Sequence, residues 1–465
     1  PWEVVSPYVP FDVAPEYVPH LYGIFFTSIA TFYVMLGGML SIVWADVLQF
    51  TIMTVSAVII AVLAIVHVSP EALQAATPEG WSNPFFGWTL NLDWAGLINE
   101  VNEKIVSDGY TLFSIFFMMM LFKGILISAA GPAPNYDMQK ILATRSPRDA
   151  ALMSGFVSIV LMPIRYLMIA GFAVLAIVYY QDLDLMSGGR IDFENILPSA
   201  MLQFAPVGIL GLILAGLLAA FMSTFASTVN AAPAYLVNDI YKRYIEPDAT
   251  PRRLVRLSYL ISVLVVVIST MIGLWVESIN SVLQWIVSGL WGGYVVSNVL
   301  KWYWWRLNGM GFFWGMMVGI IGALIFPPLF GGTFENVASD ILPLYLFPLL
   351  LLVSGVVCVA TSLLTKPDDP EVLKSFYKNV RPWGLWGPIH DMVVAEDPSF
   401  ERNKNFKRDM FNVTIGIIAQ TCLVAAPIFL VVRENASLAT TLVVFAICAG
   451  ILKKTWYDTL ERESA

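Results

Sequence analysis

The 465-residue chain is 58% hydrophobic and only 13% charged, with a mean hydropathy of +0.72. A soluble protein carries about twice that share of charge, so the composition excludes a water-soluble globule and points to a multi-pass membrane protein. A net charge of −8 and a pI near 5.0 exclude nucleic acid as a partner. Cys358, Cys422 and Cys448 lie in apolar runs without CxxC spacing, which argues against a metal site or a disulfide framework. His20, His67 and His390 all fall outside mid-span positions, so paired intramembrane haem ligands are absent.

A spanning helix needs about 20 apolar residues. The hydropathy pattern predicts eleven spans, over 18–36, 42–68, 109–131, 150–179, 205–232, 254–277, 281–301, 311–330, 341–365, 411–432 and 437–452. With the first end outside, all but five of the 26 lysines and arginines fall in inside loops and the tail. Lys104, Arg190 and Arg433 lie outside, while Lys123 and Arg165 lie within spans. Residues 1–17 form an outside lead-in, and 69–108 and 181–204 are outside segments with amphipathic stretches at 93–106 and 196–204. The segment 366–410 is the one sizeable inside loop, followed by C-terminal helices and tail over 411–465.

Four places break the apolar pattern, and polar positions in spans are where function concentrates. In the second span Asp46 and Gln49 are spaced i, i+3 on one face, after Gly37-Gly38. That carboxylate needs a cation or water, unless it simply marks a helix entry among head groups. The third span ends in Gly131-Pro132-Ala133-Pro134-Asn135. An unbroken helix over 109–144 would be about 54 Å long, so the prolines are expected to break it. Broken helices of this kind line cavities in transporters, although a plain helix end with a polar exit reads the same way. In the fifth span Ser223, Ser227 and Asn230 form a polar stripe at i, i+4, i+7. Such hydroxyls suit a small hard cation, or they bond their own i−4 carbonyls and pack. Arg165 follows Pro163 in the fourth span, where a guanidinium must pair or meet water.

These pieces resemble the sodium/solute symporter family, which includes the sodium/glucose cotransporters. The resemblance runs through Gly37-Gly38 with Asp46-Val47-Leu48-Gln49, and Gln139-Lys140-Ile141-Leu142-Ala143. It continues through Gly208-Ile209-Leu210-Gly211 to Met222-Ser223-Thr224 and Asn238-Asp239-Ile240-Tyr241. Arg306-Leu307-Asn308 with Phe313-Trp314-Gly315, and Phe376-Tyr377 with Arg381-Pro382-Trp383-Gly384, complete it in the family's order. It implies an all-α polytopic protein of the LeuT-type inverted-repeat fold, in the cell membrane. On that frame 18–68 ends the first repeat, 109–301 forms the second, and 311–365 holds accessory helices. It also implies that the chain starts at the fourth core helix, with the N-terminal helices lacking.

The resemblance further implies a sodium site at Ser223 and Thr224 with the carbonyl of Ala220. Asp46 and Ser227 match a second sodium site or exit path, but Ala226 stands where a hydroxyl is expected. Gln284, with Ser288 one turn on, matches a sugar-binding glutamine. Ala130 replaces an aromatic gate and Leu161 a lysine, so a glucose-like solute does not follow. Together with the break at Gly131 and Asn135, and with Arg165, these residues form the expected solute site. The expected function is sodium-coupled import of a small polar organic solute, sugar-like or an organic acid, by alternating access across the bilayer. No bond is made or broken, so the chain is not expected to be an enzyme. A membrane sensory module built on a symporter-like domain is the alternative.

Overall fold

A computed structural model describes residue 14 and residues 17–82, 92–107, 128–129, 140–187, 190–274, 292–333 and 342–460. Its elements are helical throughout, apart from a two-residue antiparallel ribbon of β1 (Met186–Ser187) and β2 (Arg190–Ile191). The chain divides into two compact units. The first comprises Pro1–His67, Pro134–Ala173 and Glu194–Glu277, and the second Val68–Ala133, Val174–Phe193 and Ser278–Ala465.

The first long helix among the described residues is α1 (Val18–His67), 50 residues that run through Gly37 and Gly38 without interruption. The sequence pattern had put a break there between two spans. Each glycine costs a helix only about 1 kcal/mol, which the apolar flanks on both sides readily override. At about 1.5 Å per residue α1 is some 75 Å long, and it contains two bilayer-length stretches, Val18–Met35 and Val43–His67. Ser28, Thr31, Thr51 and Thr54 each donate to the carbonyl four residues back, so these hydroxyls are satisfied within the helix.

Two short helices follow, α2 (Pro70–Ala75) and α3 (Asn99–Ser107), the latter overlapping the predicted amphipathic stretch and ending one residue beyond it. Helix α4 (Pro147–Val178) carries Pro163 in its interior, α5 (Ile196–Phe204) coincides with the second amphipathic stretch, and α6 is Val207–Pro233. Beyond Pro233 the chain continues as a π-helix over Ala234–Ile245. Helices α7 (Pro251–Gly273), α8 (Gly292–Tyr303), α9 (Gly309–Phe330) and α10 (Leu342–Leu364) complete the central part. The inside loop folds as α11 (Pro370–Val380) and α12 (Gly387–Glu396), before α13 (Phe406–Val432) and α14 (Asn435–Thr455). Among the described residues, nine stretches are long and apolar enough to cross a membrane, and each coincides with a predicted span. The predicted span 109–131 lies outside the described residues, and 281–301 enters them only as the start of α8.

In the first unit, α1 and α6 pack antiparallel. Ser56 Oγ donates to Leu212 O (3.0 Å), and Asp46 meets Ser223 further along the same seam. Gly216 makes the close approach possible, because a Cβ there would sit 2.5 Å from Ser56 Oγ. Val34, Ala226, Val229 and Val266 of α1, α6 and α7 bury a small apolar core beside it.

In the second unit α8, α9 and α10 are joined through small residues. A Cβ added to Gly293 would lie 2.9 Å from Ile320 N, and one added to Gly319 would fall onto the Gly293 backbone. Ser354 Oγ lies 2.6 Å from Gly293 O and 3.0 Å from Gly315 O, and Ser297 Oγ bonds Cys358 Sγ. Outside the spans, Leu373, Tyr377, Trp386, Ile389 and Val393 form a core under Trp305, Phe376 and Phe400.

Candidate functional site

The fifth-span stripe and the carboxylate of the second span meet across the α1–α6 seam. Ser223 Oγ donates to Asp46 Oδ1 at 2.5 Å, and Lys140 Nζ donates to Asp46 Oδ2 at 3.1 Å. The Asp46 and Lys140 side chains retain 22% and 31% of their exposure, so the ion pair is largely but not wholly removed from solvent. One carboxylate thus ties α1, α6 and a helical turn that includes Lys140–Leu142.

Two further oxygens lie one turn from this centre. Gln49, one turn beyond Asp46 on α1, has a buried Oε1 without a hydrogen-bond partner. Ser227, one turn beyond Ser223 on α6, is 4% exposed, and its Oγ is likewise unpartnered. Because the helices run antiparallel, Gln49 and Ser227 flank the Asp46–Ser223 pair on opposite sides along the seam. A buried polar atom without a partner is uncommon, and here two of them bracket a carboxylate. Carboxylate, hydroxyl and amide oxygens are the donor types that hard cations select, so the residues present fit a small hard cation.

Ala220 is partly buried on α6 and Thr224 is exposed, its carbonyl accepting Thr228 Oγ1 at 2.9 Å. Ala226 is 1% exposed and adds no oxygen. Arg165 is exposed on α4 and makes no hydrogen bond or ion pair among the described residues. Gln284, Ser288, Gly131 and Asn135 lie outside the described residues, as does Lys123. Among the described residues no group of three or more His, Cys, Asp and Glu side chains could hold a metal, and the three cysteines are buried and free. Lys140 is the member of the constellation that sequence reading assigned elsewhere, to an inside loop.

The model of the Sodium:solute symporter family matches residues 21–319, from α1 into α9. The chain belongs to this family. The sodium/glucose cotransporter of Vibrio parahaemolyticus is 24% identical over 374 residues, 76% of this chain and 64% of that protein. The sodium/mannose cotransporter SLC5A10 of Bos taurus is 26% identical over 384 residues, covering 74% and 61%. The sodium/sialic acid symporter SiaT of Proteus mirabilis is 22% identical over 303 residues, covering 63% and 56%. The chain therefore spans less than two thirds of the length of these curated relatives.

A solved structure of a Na+-coupled sialic acid symporter, substrate-bound and outward-open, superposes with a TM-score of 0.51 at 18% identity. It covers 78% of this chain and 69% of that one. The fold is thus the LeuT-type inverted-repeat architecture, and the chain is a multi-pass membrane protein.

Proposed function

We propose that this chain works in a sodium-coupled symporter that imports a small polar organic solute, sugar-like or an organic acid. The observation that carries the reading is the Asp46–Ser223 contact across α1 and α6, flanked by the unpartnered Ser227 Oγ and Gln49 Oε1. A sodium ion would be held by the Ser223 and Thr224 hydroxyls with the Ala220 carbonyl. Asp46 and Ser227 would stand along its path. Gly131, Asn135, Gln284 and Ser288 are the proposed solute contacts, and Arg165 the group that would meet an acidic solute. The family is one of transporters, and the cycle proposed makes and breaks no bond. Its driving force is the ion gradient, about 2.3 kcal/mol per charge per 100 mV plus the concentration term.

The test is the thermal midpoint of the purified full-length protein in sodium and in matched potassium, beside Ser223→Ala/Thr224→Ala. A ligand at a hundred times its Kd adds about 2.7 kcal/mol to the folded state, which shifts the midpoint by a readable amount. The expected result is a sodium-specific rise that the double variant abolishes. Equal midpoints for the wild type in saturating sodium and potassium would overturn the reading.

A further inference from the structure

On a chain of net charge −8, the turn that joins the π-helix to α7 gathers positive charge. Lys242, Arg243, Arg252, Arg253 and Arg256 stand there against Asp239, Glu246 and Asp248. Glu246 is already taken up, since its Oε1 accepts from Arg253 Nη1 at 3.0 Å and its Oε2 from the Tyr241 hydroxyl. Lys242, Arg243, Arg252 and Arg256 are exposed and make no ion pair among the described residues. We propose that this turn is a binding surface for the phosphate headgroup of an anionic phospholipid. The four cations would hold the headgroup, and the exposed apolar side chains on either side would enter the acyl layer. The inference goes beyond the sodium and solute readings and stands independently of both.

The lengths of the flanking helices set the depth of the patch. With 27 residues, α6 is about 40 Å long and by itself crosses a hydrocarbon core of about 30 Å. The π-helix Ala234–Ile245 extends it, and α7 sets out again after only residues 246–250. Both flanks are bilayer-length stretches, Val207–Ile245 and Pro251–Gly273, so the turn between them belongs to the headgroup layer. Tyr244 and Ile245 are 72% and 65% exposed, and Val255, Tyr259 and Leu260 are exposed on the α7 side. The Arg243 guanidinium lies 5.4 Å from the Tyr244 ring centroid. Cations interleaved with tyrosines and aliphatic side chains are the composition of segments that bind anionic interfaces. A positive-inside bias accounts for the sign of these residues, but not for where they stand. Arg252 and Arg253 lie in the first turn of α7, where the helix dipole repels cations and no acidic side chain is present. Arg253 is compensated by Glu246. Arg252 is not, and a bound phosphate would supply the missing negative charge.

The experiment places the purified full-length protein in phosphatidylcholine nanodiscs doped with phosphatidylglycerol that carries a photoactivatable headgroup, and maps the crosslinked peptides. Crosslinks are expected to concentrate in 235–260. Unlabelled phosphatidylglycerol should compete, whereas phosphatidylcholine, glycerol 3-phosphate and inorganic phosphate should not. Neutralising any one of the four cations should weaken the apparent affinity about fivefold. Lys242→Gln/Arg243→Gln/Arg252→Gln/Arg256→Gln should abolish the enrichment. Lys366→Gln/Lys404→Gln/Lys407→Gln/Lys454→Gln, which removes four exposed lysines elsewhere, should keep it.

Crosslinks spread evenly over all the basic segments, or lost equally in the two quadruple variants, would overturn the proposal and reduce the patch to a topology signal. Competition by inorganic phosphate as effective as that by the lipid would replace the phospholipid with a soluble anion. Should the first quadruple variant fail to purify as a monodisperse species, the wild type decides. Its enrichment should weaken as salt is raised, because the cations are exposed and screened. The same photoactivatable group on phosphatidylcholine should give no enrichment. Crosslinking that ignores salt, or that is equal for the two lipids, would overturn an electrostatic headgroup site.

Discussion

Two helix seams in this molecule place hydroxyls deep among apolar side chains and treat them differently. At the α8–α9–α10 seam the buried serine hydroxyls are answered from within, although Arg306 Nη1 at its end is buried and unpartnered. Ser354 reaches two carbonyls, Ser297 meets Cys358, and Ser362 returns to Cys358 O. At the α1–α6 seam Ser223 is tied to an ion pair, while Ser227 and Gln49 are left with unpartnered oxygens. Both seams rest on glycines that let helices approach closely. What separates packing from a site is whether the buried polar atoms are satisfied, since an unsatisfied one has a cost that only a ligand or water repays.

The strongest way to break this contrast is at Gly319. Its α-carbon abuts the Gly293 backbone, so a side chain cannot be accommodated without separating α8 from α9. Gly319→Leu should cost about 4 kcal/mol or more, seen as loss of the monodisperse peak in size exclusion and a collapse of the thermal midpoint. Next in size is Asp46→Asn. It leaves the Lys140 ammonium facing a neutral amide, at an expected cost of about 1–3 kcal/mol, between the values for exposed and buried pairs. A midpoint within about 0.5 kcal/mol of the wild type would mean that the ion pair contributes nothing to the fold.

Paired alanine substitutions sharpen the contrast further. Ser354→Ala removes a donor shared between two carbonyls and should cost about 1 kcal/mol, leaving any sodium-induced rise in midpoint unchanged. Ser227→Ala removes no hydrogen bond and should be neutral or slightly stabilising in the absence of sodium. It should nevertheless change the sodium response. The reverse pattern would assign packing to Ser227 and a ligand role to Ser354.

The smallest expected effect lies outside the spans. Burial, with the nearby Arg402, pushes the His390 imidazole below its usual range, against an opposing pull from Asp391. The folded state thus favours neutral His390, whereas the unfolded chain takes up a proton near pH 6.5. Stability of the α11–α12 core should fall as pH drops below that value, towards the folded pKa. Hydrogen bonds from Lys374 and Lys378 hold the Glu396 carboxyl below its usual range. Its contribution is present above the ordinary glutamate value and is lost only at still lower pH. Amide exchange over 370–396 at pH 7 and 5.5 should show the first loss, and His390→Gln should flatten it.

Much of this was legible in the residues alone. The spans follow from apolar runs of bilayer length, and the i, i+3 and i, i+4 spacing put Asp46 with Gln49 and Ser223 with Ser227 on helix faces. The pairing of those two faces was not legible, because nothing local in residues 46 and 223 encodes which helices pack together. Lys140 shows the limit most sharply. Its charge reads as one of many inside lysines in a positive-inside census, and only tertiary structure brings it to Asp46. The predicted spans 18–36 and 42–68 are both present but belong to one continuous helix, since a glycine's intrinsic preference is weak against the helical continuity of long apolar flanks.

The glycine seam also bears on what can move. Because the Gly293 and Gly319 backbones touch without intervening side chains, α8 and α9 have no compressible layer along which to slide. Ser354 pins α10 to both. A transport cycle needs some elements to change register and others to serve as a fixed frame against which that change is measured. In the transport cycle proposed for this chain, α8, α9 and α10 would supply such a frame, and distances between probes at their ends should stay constant through it.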